Sequence, residues 1–163
     1  MFTVKAAFSD DIEIRADAEK VRDFFLDVSN FAEMMPGVER AHRDANGIAQ
    51  WRVEAEIPLV GKIVQDFSLE LTEDTPQRVE WSPKPDESEN LLRYSADFLE
   101  TNGATKVHFS QQVELRRKKA SELHSLAWLA GESLISREMT ASITAMIRTF
   151  IERAKERLEK QRP

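Results

Sequence analysis

The chain has 163 residues, 41% of them hydrophobic and 32% charged, with a net charge of −6. That length suits one domain with a substantial core, the composition excludes an intrinsically disordered chain, and the acidic balance argues against a dedicated nucleic-acid binder, which needs a basic surface to neutralise phosphates. The absence of cysteine excludes disulfides, thiolate metal sites and a cysteine nucleophile, and it fits a reducing cytoplasm.

The opening MFTVKAAFSDD has no basic region followed by an apolar run, so no signal peptide is expected. No window approaches the roughly 20 apolar residues of a membrane-spanning helix. A soluble, cytoplasmic, single-domain protein spanning residues 1–163 is the expectation.

In chain order, Phe2, Val4, Ala6, Phe8, Ile12 and Ile14 alternate with mostly polar residues, the period of a long strand with one wet face. Asp10 interrupts the apolar face, which predicts a bulge near Ser9-Asp10-Asp11. The period then changes. Asp17 is placed to cap a helix whose stripe is Val21, Phe24, Phe25 and Val28, and a second helical turn carries Phe31, Met34 and Met35 before Pro36-Gly37 stops it.

Six more strands follow. GVERAHR is the first; Trp51, Val53, Ala55 and Ile57 form the next inner face, and PLVG turns the chain. Ile63, Phe67, Leu69 and Leu71 continue on one face with Gln65 among them, and Val79 and Trp81 face together in QRVEW. After the polar loop SPKPDESEN come Leu92, Tyr94, Ala96 and Phe98, a tight turn at TNGA, and then Val107, Phe109, Gln111, Val113 and Leu115. Short connections make an antiparallel meander the economical topology. Beyond the basic run Arg116 to Lys119, Gly131 separates a short leading helix, ELHSLAWLA, from a long one. The long helix has the stripe Ile135, Met139, Ile143, Met146, Ile147, Phe150, Ile151, Ala154 and Leu158.

One strand, two short helices, six strands and a long helix define an α+β class: a curved seven-stranded antiparallel sheet wrapped around the C-terminal helix. This order, with IEIRADAEKVRDFFLDVSNFAEMMPGVER and WRVEAEIPLVGKIVQDFSLEL as its local signs, resembles the START-related helix-grip superfamily, which includes polyketide cyclases, over nearly the whole chain. MPGVE and PLVGK look closest to the branch similar to the carbon-monoxide-dehydrogenase G subunit. The resemblance implies a hydrophobic cavity between sheet and long helix, gated by the short helices and hairpin loops. It implies no single reaction.

In such a fold Phe31, Met34 and Met35 stand at the pocket mouth, with plugging of the sheet's open end as the alternative reading. Apolar walls are expected from Trp51, Phe67, Trp81, Phe98, Phe109 and Met139, with Gln65, Gln111, Ser136 and Tyr94 orienting a ligand. Inward-reading Asp10, Glu132 and Thr140 complete the polar set; Glu132, Asp10 or Tyr94 would move protons if the protein were a cyclase or dehydratase. The alternative for Glu132 is a helix-dipole role.

His42, His108 and His124 are scattered, so no metal site is expected, no cofactor motif is present, and no nucleophilic triad is visible. The basic run and the tail residues Arg148, Arg153, Lys155, Arg157, Lys160 and Arg162 suit contact with an anionic membrane, although Glu152, Glu156 and Glu159 interleave as ion-pair partners. Three functions follow: binding of a small hydrophobic ligand, cyclisation or dehydration of one, and an accessory role recruiting or maturing a redox complex.

Overall fold

The computed structural model describes residues 1–160, so Arg162 lies outside the described residues. Strand β1 (Phe2–Ile14) leads into helices α1 (Ala18–Leu26) and α2 (Ser29–Met34). Strands β2 (Val38–Arg43), β3 (Ala49–Ile57), β4 (Gly61–Thr75), β5 (Arg78–Pro83), β6 (Asn90–Thr101) and β7 (Ala104–Arg117) follow, and helix α3 spans Gly131–Lys160. The strands form one antiparallel sheet in the order β1-β7-β6-β5-β4-β3-β2. It curls into a half-barrel around α3, the helix-grip arrangement.

The predicted bulge in β1 is absent. The strand pairs with β7 without a shift from Phe2↔Arg117 to Ile14↔Thr105. Asp10 needs no bulge because it reaches the partly exposed margin of the groove, where its carboxylate lies 3.5 Å from Arg148 of α3. Irregularities occur instead at Val38/Arg40 and Leu71/Glu73, where extra residues add to the sheet's bending.

Asp17 caps α1 as its sequence suggests, accepting from the Lys20 N–H. The stretch expected as a short leading helix forms two 3-10 turns, Ala120–Glu122 and Ala127–Leu129. Only Leu123 and Ala127 of this segment are buried, too little apolar contact to hold a longer helix.

β1 is an edge strand, and α3 covers it. Glu132 accepts from the Thr3 N–H at 2.8 Å, Ser136 from the Lys5 N–H at 3.0 Å, and Glu159 from the Arg15 N–H at 3.0 Å. Such side chains pair edge amides that would otherwise template a second strand. The tail's basic residues are largely committed to the fold: Arg157 pairs with Glu33 at 2.5 Å, Arg153 donates to the Met34 carbonyl at 2.9 Å, and Lys160 pairs with Glu156. The first two fasten α2 to α3.

The Pro-Gly corner has a steric cause. Gly37 has φ +89°, and a Cβ there would lie 2.7 Å from Met146 Cε and 2.8 Å from the Glu54 carbonyl oxygen. The corner lets the chain enter β2 while lying flat against α3 and β3. Met35 and Met146 thus meet the same small region of the core.

Candidate functional site

Between the sheet and the N-terminal half of α3 lies an apolar chamber. Its sheet wall comes from β3 (Trp51, Val53, Ala55), β4 (Ile63, Gln65, Phe67) and the β6–β7 pair (Leu92, Gln111, Val113, Leu115). The opposite wall is Met139, Ile143 and Met146 of α3, with Met35 and Val38 at the side. Three of the chain's five methionines therefore line one space. The thioether is flexible and polarizable, suited to an irregular or changing volume. The volume is about 30 Å³, close to the share of one water in the liquid, so in this conformation the walls nearly fill the chamber. A wider hollow of about 660 Å³ beside Arg93, Gln112 and Arg116 is open to solvent.

The two glutamines are chemically different. Gln65 Oε1 accepts from Arg117 Nη2 at 2.8 Å and from Asn90 Nδ2 at 3.0 Å, and Arg117 also donates to Asn90 Oδ1 at 2.7 Å. The Arg117 side chain is only 8% exposed, so one member of the apparent basic surface run is a buried anchor. Gln111, by contrast, is buried and its Oε1 has no partner; Trp51 Nε1 and the Tyr94 hydroxyl are likewise buried and unpaired. Such orphans are rare in native proteins, and each costs about 1–3 kcal/mol. Tyr94 pairs in register with Gln111, and its ring centroid lies 5.7 Å from that of Trp51. Burial, reinforced by the Asp27 carboxylate and only partly offset by the Arg43 guanidinium, pushes the Tyr94 phenol well above its ordinary pKa of 10.0.

The expected site residues divide. Trp51, Gln65, Phe67, Gln111, Met139 and Met35 line the chamber. Phe98 and Phe109 belong instead to an aromatic core with Phe25, their ring centroids 6.0 and 5.9 Å from its own. Trp81 is fully buried beneath the Arg43 guanidinium, 5.2 Å from its centroid. Phe31 is not at a mouth: it is fully buried against Phe150, Trp51 and Tyr94, and Met34 is buried beside it in α2. Strand alternation marks Trp51, Phe67, Trp81, Phe98 and Phe109 as inward, and helical spacing marks Phe31 and Met139, but which part of the groove each reaches depends on curvature and register.

The carboxylates proposed to move protons lie elsewhere. Glu132 is exposed and holds the Thr3 amide, and Asp10 pairs with Arg148. Ser136 is spent on the Lys5 amide and Thr140 donates to the Ser136 carbonyl. Tyr94 is the one proposed proton carrier inside the core, and its phenol is held protonated. Asn90 and Arg117 carry no site signal in the sequence, one lying inside a polar loop and the other inside a basic run.

Pairing of β1 with β7 also assembles a trio that no sequence spacing announces. On the sheet's outer face Ser9 Oγ lies 3.3 Å from His108 Nε2, and Asp11 Oδ1 lies 2.7 Å from His108 Nδ1. The order is that of a nucleophilic triad. His108 and Asp11 are 50% and 55% exposed, so water competes for these bonds on an open sheet surface, and the trio serves as cross-strand pairing.

No family model and no curated protein matches the chain. Solved structures do. The di-domain aromatase/cyclase BexL from the BE-7585A biosynthetic pathway superposes with a TM-score of 0.63 at 19% identity over 98% of this chain; the chain spans about half of BexL, 52%. The Streptomyces aromatase/cyclase ZhuI gives 0.61 at 12% identity, covering 94% of this chain and 95% of its own. A START superfamily protein from Mycobacterium smegmatis gives 0.57 at 12%, covering 92% and 97%. The chain shares the helix-grip fold of these aromatase/cyclases and this START protein. At these identities the likeness is one of fold, and it does not single out the G-subunit-like branch. Among the described residues, no helix is long and apolar enough to cross a membrane.

Proposed function

We propose that the protein binds a small hydrophobic molecule in the chamber between the sheet and α3. The observation that carries this reading is the chamber's composition: a mostly apolar lining that includes Trp51 and Gln111, each with a buried unpaired polar atom, closed on its helix side largely by methionines. Ligand sites have this composition, apolar walls with a few placed polar groups. Aromatase/cyclases and a START protein share the fold, which supports a hydrophobic molecule as the occupant. Entry requires Met35, Met139 and Met146 to change rotamer, because the resting volume is far below that of any such molecule.

Binding rather than turnover is favoured because, among the described residues, no carboxylate, histidine or lysine lines the chamber. Mass spectrometry of the purified full chain under mild conditions, with organic extraction, tests the reading. A stoichiometric small molecule, or saturable uptake of naphthol, is expected; a clean apo mass together with no uptake of any apolar probe would overturn it.

A second reading, an accessory protein docking on a larger partner or a membrane, is favoured by an exposed apolar tip. Leu59 in the β3–β4 turn is 74% exposed with φ 72°, and Leu126, Trp128 and Leu129 are exposed before α3. A Cβ on Gly61 would lie 4.0 Å from His124 Nε2, which puts the two segments side by side. Sedimentation with anionic vesicles at two salt concentrations tests the membrane form; no co-sedimentation at either removes it.

A further inference from the structure

We infer that the chamber selects a neutral hydrophobic molecule bearing a hydroxyl group, an alcohol or phenol, whose O–H donates to Gln111 Oε1. The inference rests on the ligand-binding reading above and names the chemistry of the occupant.

Gln65 and Gln111 contribute the same functional group to the same chamber, yet only Gln65 is held from behind, by Arg117 and Asn90. Gln111 is 7% exposed and its carbonyl oxygen is left open. Its register partner Tyr94 does not satisfy it, since the Tyr94 hydroxyl is itself unpaired. Trp51, on the same chamber wall, has an indole N–H without an acceptor.

The residues that line the chamber therefore include one buried acceptor and one buried donor without partners, set among mostly apolar walls. A hydroxyl group is the smallest neutral group that matches both, because it donates one hydrogen and accepts through two lone pairs. A ketone or an ether accepts only and leaves Gln111 unpaired. An ammonium group would donate, but it would bring a charge into a space whose lining holds no carboxylate to neutralise it.

Matched probes test the assignment: naphthol and its methyl ether, which differ in the donor and by one methyl group, titrated calorimetrically into the full chain. Naphthol is expected to bind about tenfold more tightly, the ratio one buried hydrogen bond commands. In Gln111→Leu, and in the near-isosteric Gln111→Met, the two probes should bind alike. Both variants are expected to melt at or above the wild-type temperature, since they remove an unpaired buried acceptor. Equal affinities in the wild type, or discrimination that survives in either folded variant, would overturn the role of Gln111 while leaving hydrophobic binding intact. Binding of neither probe to the wild type would overturn the ligand-binding reading and this inference with it. A melting temperature that falls sharply in both variants would show that Gln111 is a structural residue and overturn the assignment.

Discussion

The two ends of the groove around α3 are filled by different chemistries. Toward the C-terminal end Phe150 stacks on Phe31 at 4.5 Å and 15° and on Phe24 at 5.9 Å, while Phe25 meets Phe98, Phe109 and Phe150. Toward the N-terminal end the helix offers Met139, Ile143 and Met146, and the sheet offers mostly aliphatic side chains with Trp51, Phe67 and two glutamines among them, two of these side chains carrying unpaired polar atoms. Rigid rings in contact bury much area and leave little freedom, whereas thioethers fill space without fixing it. One end is fixed by ring contacts and the other is lined by adaptable thioethers, the division of labour that the proposed ligand binding calls for.

The largest expected effect tests the rigid end. Phe31→Ala removes the ring shared by Phe150, Trp51 and Tyr94 and should lower stability by about 3–5 kcal/mol in urea unfolding. A loss below about 1 kcal/mol would show that the aromatic end collapses as readily as the methionine end, and the comparison would fail.

Next in size is the corner that joins the two ends. Gly37→Ala forces a Cβ toward Met146 and the Glu54 carbonyl at a left-handed φ, at an expected cost of about 1–3 kcal/mol. Because Met146 has to yield, this variant should also alter probe uptake; unchanged uptake would separate the corner from the chamber.

Ser136→Ala should cost about 1 kcal/mol by leaving the Lys5 amide unpaired, with probe affinity unchanged. Weakened binding with intact folding would return Ser136 to the ligand site.

The smallest effect concerns Tyr94, the chain's only tyrosine, whose phenolate absorption is therefore free of other tyrosines. Its folded pKa is raised above the ordinary 10.0 by burial. The folded state keeps the proton longer than the unfolded chain, so this contribution is complete below the unfolded pKa and is lost as pH rises beyond it. Phenolate absorption should appear together with the loss of far-ultraviolet circular dichroism. Ionisation in the folded state near the ordinary value would show that water reaches the aromatic end, and would break its contrast with the chamber.

Much of the fold was legible because it rests on local periodicity. Alternation marked Trp51, Phe67, Leu92 and Gln111 as inward, the three-to-four spacing marked the α3 stripe, and Asp17 marked a helix start. The site was legible only in part. Inward parity could not separate Trp51, which lines the chamber, from Phe109, which lies in solid core. Nor could it show that Ser136 and Glu132, close to the apolar stripe, face the β1 edge.

What the sequence by itself determined is the set of elements and the face each one buries, because hydrophobic period and capping act over a few neighbouring residues. Only the tertiary structure decided how those faces meet. Sheet curvature, strand register and the approach of α3 bring Arg117 to Gln65 across 52 residues, leave the Gln111 side-chain oxygen without a partner, and gather three methionines around one small void. Those pairings depend on contacts between residues far apart in the chain, and no local pattern encodes them.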